Sequence, residues 1–324
     1  MHQFWQTLPK PFFVLAPMEA VTDMVFRHVV AQAAKPDVFF TEFVNAASFC
    51  SPKGAHSTRG RLAFTHDEQP LVAQIWGTNP DNFAEMSQAL ARMGYAGIDI
   101  NMGCPAKDVV KTGACSALIE NPALAAELIA AAKTSGLPVS VKTRIGFKTR
   151  KTEEWVSHLL SQDIAALTIH ARTQKEMSKV PAHWEEFSIV SRLRDEIAPG
   201  TLVIGNGDIM TRQQGEALAA EHNLDGIMIG RGVFQNLFCF EAEPREHSQQ
   251  EMLELLHLHL NLFDAAAADE PRKFDPLKRF FKIYLRGFAG ASELRDTLMH
   301  TKTTAEVRQV LAEFSKTQQQ QPVS

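Results

Sequence analysis

The stretch Gly97-Ile98-Asp99-Ile100-Asn101-Met102-Gly103-Cys104-Pro105, GIDINMGCP, alternates apolar and polar residues and then stops on glycine, cysteine and proline. Alternation with period two marks a β-strand whose two faces meet different surroundings, and the Gly and Pro mark its end. Seven further runs read the same way: FFVLAP from 12, VFFTEF from 38, LVAQIWG from 71, PVSVKTRIG from 138, ALTIHART from 166, TLVIGNGDI from 201 and DGIMIGRG from 225. Helical patterns separate them. The clearest follows the third run, where Asn79 can cap, Pro80 suits the first helical position, Phe83, Met86, Leu90 and Met93 form one apolar stripe, and Gly94 stops it. Eight strand–helix units in roughly 230 residues predict an α/β chain folded as a (β/α)8 barrel. An open doubly wound sheet fits less well, because no GxGxxG follows the first run.

In a barrel, alternate side chains of each strand point into the lumen. The fourth run separates Asp99 and Asn101 from Ile98 and Ile100. The fifth separates Ser140, Lys142 and Arg144 from Val139 and Val141, and the sixth separates Thr168, His170 and Arg172 from Leu167 and Ile169. The polar sets are expected to face the lumen and its rim. Buried polar groups need partners, so their convergence at strand C-termini predicts a ligand with hydrogen-bonding edges.

After Phe240 the pattern changes. MLELLHLHLNLF carries apolar residues at 252, 255, 256, 260 and 263, and DPLKRFFKIYLRGF and ELRDTLMHTKTTAEVRQVLAEF follow. The expected organisation is a barrel over 1–240, a small all-helical domain over 245–316 and a disordered polar tail over 317–324.

Composition narrows the class. The chain has 324 residues, 45 % of them hydrophobic, and a formal net charge of −4. That places it among globular proteins and argues against indiscriminate nucleic-acid binding, while leaving room for a local basic face. No run approaches the ~18 uninterrupted apolar residues of a membrane span, so no membrane partner is expected and the cytoplasm is the default location. The four cysteines, at 50, 104, 115 and 239, show neither CxxC nor regular spacing, so neither a disulfide framework nor a metal site is indicated.

Two strand ends late in the barrel, GNGD at 205–208 and GRG at 230–232, sit where this fold usually binds phosphate, and Arg231 can add a bidentate contact. Lys142 admits three readings: a cation for an anionic cofactor, a Schiff-base nucleophile, or an ion-pair partner of Asp99. Gln74 offers a donor and an acceptor to a heterocyclic edge, or to an ordinary core network. His170 gains weight from its inward position beside Arg172. Cys104, alone, would read as a small buried hydrophobe.

Taken in order, APMEAVTD, TEF, AQIWG, IDINMGCPAKDVVKTGACSALI, VSVKTRIG, IHARTQ, GNGDI and DGIMIGRG resemble the successive motifs of the tRNA-dihydrouridine synthases. The resemblance runs from residue 12 to about 235, and LKRFFKIYLRGFAGASELR is similar to the family's C-terminal RNA-binding bundle. It implies an FMN enzyme that uses NADPH to reduce the C5=C6 bond of selected uridines in tRNA, expected in the D-loop, with no stable protein partner. By motif, Cys104 is the proton donor. Pro17, Met18 and Glu19 line the flavin, Gln74 and Lys142 hold its ring, and His170 contacts the cofactor region. Asn206, Gly207, Asp208, Gly230 and Arg231 take its phosphate and ribityl end. Asn101 is expected at the substrate, with Lys107, Arg144 and Arg172 near the phosphates around the target base. Lys278, Arg279, Lys282 and Arg286 recur at spacings of three and four and are expected to form one basic tRNA-facing surface.

The physical chemistry agrees with a thiol acid. Hydride arriving at C6 of a uracil leaves enolate character that must be protonated at C5, and a cysteine of pKa near ~8.5 is protonated at neutral pH. Gly103 and Pro105 are expected to aim the thiol into the lumen. Where the family usually has G-x-G, this chain has Gly113-Ala114-Cys115, which implies a changed loop geometry and, for Cys115, a packing role. The segment TQKEMSKVPAHWEEF also replaces a commoner tyrosine-containing version. Two other classes compete: a Schiff-base aldolase on Lys142, which would need neither Gln74 nor Cys104, and an RNA-binding barrel that keeps flavin without catalysing reduction.

Overall fold

The computed structural model of the chain describes residues 3–320. Nine parallel strands run in chain order: β1 Phe12–Leu15, β2 Val38–Phe40, β3 Val44–Asn45, β4 Leu71–Trp76, β5 Gly97–Met102, β6 Val139–Arg144, β7 Ala166–His170, β8 Leu202–Asn206 and β9 Gly226–Ile229. β1 pairs with both β2 and β9, and β2 pairs with β4, so eight strands close into a barrel. The two-residue β3 extends one edge, with Val44 opposite Ile75 and Asn45 opposite Trp76. The run expected as one strand over VFFTEF is therefore broken after Phe40, and Glu42 lies in the break.

The barrel interior divides by register. Gln74, Asp99 and Ser140 share one level across β4, β5 and β6; Lys142 and Thr168 share the next, and Arg144, His170 and Asn206 the one nearest the strand ends. On the other side Phe12, Val14, Val38, Phe40, Ile204 and Met228 pack with Trp5, which the N-terminal helix Gln3–Thr7 brings against Phe12. One wall of the lumen is thus apolar and the other polar. The larger core lies between strands and helices.

The helix Pro80–Met93 illustrates the local logic. Asn79 accepts from the Asn82 N–H, Pro80 opens the helix, and Gly94 closes it at φ +88°, a left-handed conformation that glycine adopts without strain. Phe83, Met86 and Leu90 are buried, but Met93 at the end of the stripe is exposed.

Beyond the barrel, helix Gln249–Asp269 starts in a Ser248/Glu251 capping box and packs on helix Met24–Ala34. The expected basic helix over DPLKRFFKIY is instead a 3₁₀ segment, Asp275–Phe280, followed by the short helix Phe281–Tyr284. Its apolar residues Leu277, Phe280, Phe281 and Tyr284 turn inward. Phe280 stacks 4.7 Å from Phe26 of the barrel layer, and Arg272 pairs with Asp23 at 2.6 Å. The last helix runs Thr304–Gln320, so residues 317–320, expected to be disordered, continue a helix; 321–324 lie outside the described residues.

Candidate active site

Two adjoining hollows open at the C-terminal ends of the strands. The first encloses about 640 Å³ and is lined by Ala16, Pro17 and Met18 after β1, Lys142 on β6, His170 on β7, Asn206, Gly207 and Asp208 at β8, and Gly230 and Arg231 after β9. Gly207 has φ +142°, and a Cβ there would come within 2.8 Å of the Ala182 Cβ, so both its backbone and its neighbour require glycine.

The cleft is rich in donors. Lys142 gives one N–H to Asn206 Oδ1 at 3.3 Å, and Asn206 anchors itself on the Met228 carbonyl at 2.8 Å. Burial and then the Arg144 guanidinium bring the Lys142 pKa down to about 8, and it makes no direct pair with Asp99. His170 is held neutral: burial and the cations Arg144, Lys142, Arg172 and Arg231 push its pKa well below the usual value. Because Arg172 can only donate, its 3.0 Å contact with Nε2 requires that nitrogen to accept, which puts the His170 proton on Nδ1. In register with Lys142, the buried Thr168 hydroxyl has no partner among the described residues.

Several expected ligands are engaged elsewhere. Asp208 accepts from Arg231 at 2.8 Å, from Ala182 N–H at 3.1 Å and from Arg172. It therefore holds the arginines and adds no contact to an anion. Arg172, expected at RNA phosphates, is 2 % exposed and spends its donors on Val180 O, His170 and Asp208, so it serves the cleft from beneath. Glu19, expected along the flavin, lines the second hollow and forms a bidentate pair with Arg61 at 2.6 and 2.5 Å.

The polar wall below is a closed relay. Gln74 donates to Asp99 Oδ2 at 2.7 Å and accepts from Asn101 at 3.0 Å, which leaves its buried amide one N–H and one lone pair for a ligand. Ser140 gives its hydroxyl to Asp99 Oδ1 at 2.6 Å, while burial raises the Asp99 carboxyl to about 6. Asn101, expected at the substrate, instead accepts from the N–H groups of Gly103 and Cys104 at 3.1 and 2.9 Å. Arg144 closes the same loop, donating to Gly103 O at 2.7 Å and to the carbonyls of Thr173 and Met177. It is 5 % exposed, too deep for a backbone phosphate. Aiming of the thiol is thus the work of Asn101 and Arg144 as much as of Gly103 and Pro105.

Cys104 is half-buried in the second hollow, of about 880 Å³, which Glu19, Arg61, Asn45 and Trp76 also line. Its sulfur accepts from the Cys115 S–H, which lowers the thiol pKa to about 6 against the opposing effect of burial; the Ala106 N–H and Arg144 add to the lowering, and Glu19 opposes it. Cys115, as the donor, is pushed well above the ordinary thiol range. Lys107 is exposed at the first turn of the short helix after this loop.

The four tail cations do not form one surface. Lys278 pairs with Asp275 at 3.0 Å, Arg279 donates to Ala20 O at 3.0 Å, Arg286 is half-buried on Phe234 O at 3.4 Å, and Lys282 is exposed. Sequence reasoning missed Arg61, Glu42 and Trp76. Of these only Trp76, at the end of AQIWG, carried a signal, since a strand-end aromatic in a barrel faces the mouth.

A closed parallel barrel that gathers a cationic, glycine-lined cleft and a thiol at its strand ends defines a (β/α)8-barrel enzyme. The model of the dihydrouridine synthase (Dus) family matches residues 14–320. "Probable tRNA-dihydrouridine synthase 2" of Bacillus subtilis is 60 % identical over 314 residues, covering 97 % of each chain. "Probable tRNA-dihydrouridine synthase" of Staphylococcus epidermidis is 60 % identical over 312 residues, covering 96 % of each. The protein of the same name from Staphylococcus aureus (strain COL) is 59 % identical over 312 residues, covering 96 % of this chain and 95 % of its own. The chain belongs to the dihydrouridine synthase family, whose members are FMN-dependent oxidoreductases acting on tRNA. That membership removes the aldolase reading of Lys142.

Proposed function

We propose that this protein reduces the C5=C6 bond of a uracil in the D-loop of tRNA, with NADPH as the source of electrons and Cys104 as the proton donor. The residues of the first cleft suit FMN on their own chemistry. Lys142 has donors to spare, the unpartnered Thr168 hydroxyl lies in register with it, and neutral His170 carries its proton on Nδ1. Gly207, Gly230 and Arg231 offer close backbone and a guanidinium to a phosphate. Bound FMN supplies hydride to C6 of the uracil.

The chain's own residues do the rest. Lys142 and Arg144, neighbours on the inward face of β6, set a positive potential that favours negative charge growing on a uracil carbonyl. Cys104 holds the proton for C5. A uracil stacked in a folded RNA cannot enter a barrel mouth, so the target base must be extruded, and the second hollow offers it room. The observation that carries the reading is the Cys104 thiol, pinned by Asn101 and Arg144 in a loop that opens on that hollow.

The test separates the half-reactions. Cys104→Ala is expected to retain FMN and accept electrons from NADPH, while reoxidation by unmodified tRNA slows by about 10²- to 10⁴-fold, the usual span of general acid catalysis. Reoxidation at the wild-type rate would remove Cys104 from the chemistry.

A further inference from the structure

The Cys104 loop folds back on itself. Ser116 donates both its hydroxyl, at 2.8 Å, and its N–H, at 3.4 Å, to the Cys104 carbonyl, which sets residue 115 directly behind the thiol. Cys115 is fully buried there, and its backbone has φ +53°, a left-handed conformation uncommon for any residue with a Cβ. A glycine would hold that turn without strain. The chain keeps instead a side chain whose S–H points at the Cys104 sulfur, while the Cys104 backbone N–H faces the Cys115 sulfur in return. Strain retained at a site beside the reacting group is a sign of function.

We infer that Cys115 is a positioning residue for the proton transfer: its S–H donates to Cys104 Sγ and stabilises the thiolate that remains when Cys104 has given its proton to C5. The inference rests on the proposed role of Cys104 for its catalytic meaning. The balance is simple. The Cys104 S–H bond breaks, a C–H bond forms at uracil C5, and the electron pair stays on Cys104 Sγ, where the Cys115 S–H and the Ala106 N–H receive it. Solvent returns the proton after product leaves. The charged groups facing the pair are Arg144 and Lys142 from β6, which favour the thiolate, and Glu19 from the loop after β1, which opposes it. These three contacts exist with or without Cys115, so the S–H contribution can be isolated by substitution.

The experiment uses the full-length holoenzyme and iodoacetamide, with alkylation followed against pH on the Cys104 peptide by mass spectrometry. Trypsin cleaves at Lys107 and Lys111, which separates Cys104 from Cys115. In Cys115→Ala the alkylation midpoint is expected to rise by about one pH unit or more, because the thiolate then lacks a donor. In Cys115→Ser, whose hydroxyl also donates, it should remain near wild type. An unchanged midpoint in Cys115→Ala, or equal shifts in both variants, would overturn the inference. Should the alanine variant fail to fold, Cys115→Gly, suited to φ +53°, replaces it as the donor-less form. Reoxidation by tRNA against pH tells the two readings apart. A shifted alkylation midpoint with an unshifted reoxidation profile retires Cys104 as the acid and leaves the thiol pair standing.

Discussion

Cys104 was legible as the reacting residue because its neighbours carry a family pattern; its acidity was not. An ordinary thiol near ~8.5 is protonated at neutral pH, whereas a group of pKa about 6 is mostly thiolate at pH 7, a stronger but scarcer acid. The cause, an S–H from a position eleven residues later, depends on a left-handed turn that no periodicity announces. Glu42 was hidden for a similar reason. It looked like one letter of a strand, yet it sits in the break between β2 and β3, 5 % exposed, with Oε1 2.5 Å from the Ala20 N–H and 3.7 Å from Arg61. Burial, helped by Asp23 and Glu19, raises its pKa to about 7 in spite of Arg61. The folded state then binds more protons than the unfolded state between pH ~4.5 and 7, so stability falls as pH rises through that window and the penalty is complete above it. Glu42→Gln keeps the acceptor for Ala20 and removes the titration. Relative to wild type, it should gain about 2–3 kcal/mol between pH 5 and pH 8, read from urea denaturation at both values. A difference that does not change with pH would mean Glu42 is already ionised in the folded protein at pH 5.

At the scale of elements, the eight barrel strands were legible because each carries its own alternation and its own stop, and both faces are set by local sequence. What failed was the segment after the barrel. Spacings of three and four suggested one basic helix over Lys278–Arg286, but Leu277, Phe280, Phe281 and Tyr284 compete for the same backbone and draw it into two short turns against the barrel. Phe280 is central to that competition, with its ring 4.7 Å from Phe26, 5.0 Å from His259 and 6.3 Å from Phe234. His259, neutral because burial lowers its pKa to about 4, bonds the Tyr284 hydroxyl at 2.7 Å beside it. The C-terminal helices thus share one core with the barrel's helical layer. Phe280→Ala should cost about 3–5 kcal/mol, the usual penalty for truncating a buried phenylalanine, and shift a single cooperative transition to lower denaturant. If flavin release kept its parental midpoint while tail helicity melted early, the two parts would not share a core.

At the scale of the molecule, a protein of net charge −4 must bind a polyanion through a local surface, and folding has thinned the one that the sequence offered. Arg286 is half-buried, and Arg279 closes the mouth of the barrel at Ala20 O, within a loop that also carries Glu19 and Asp23. Reversing Arg279 to Glu would add a carboxylate to an acidic loop and confuse binding with stability. Lys278 and Lys282 give the cleaner test, since one has only an exposed Asp275 as ion-pair partner and the other is exposed. Removing one lysine–phosphate pair should flatten the log–log dependence of tRNA affinity on salt by about 0.7 to 0.9. Lys282→Glu should therefore weaken binding at low salt and lower the slope by about one such step, with flavin content unchanged. Lys278→Glu should do less, because Asp275 already screens that lysine and like charge would then push the new side chain away. The measurement is tRNA affinity across a salt series for both variants and the pair. Slopes equal to wild type in all three would assign this face to solvent and move the RNA contact to the barrel mouth, where Lys107 and Arg61 remain.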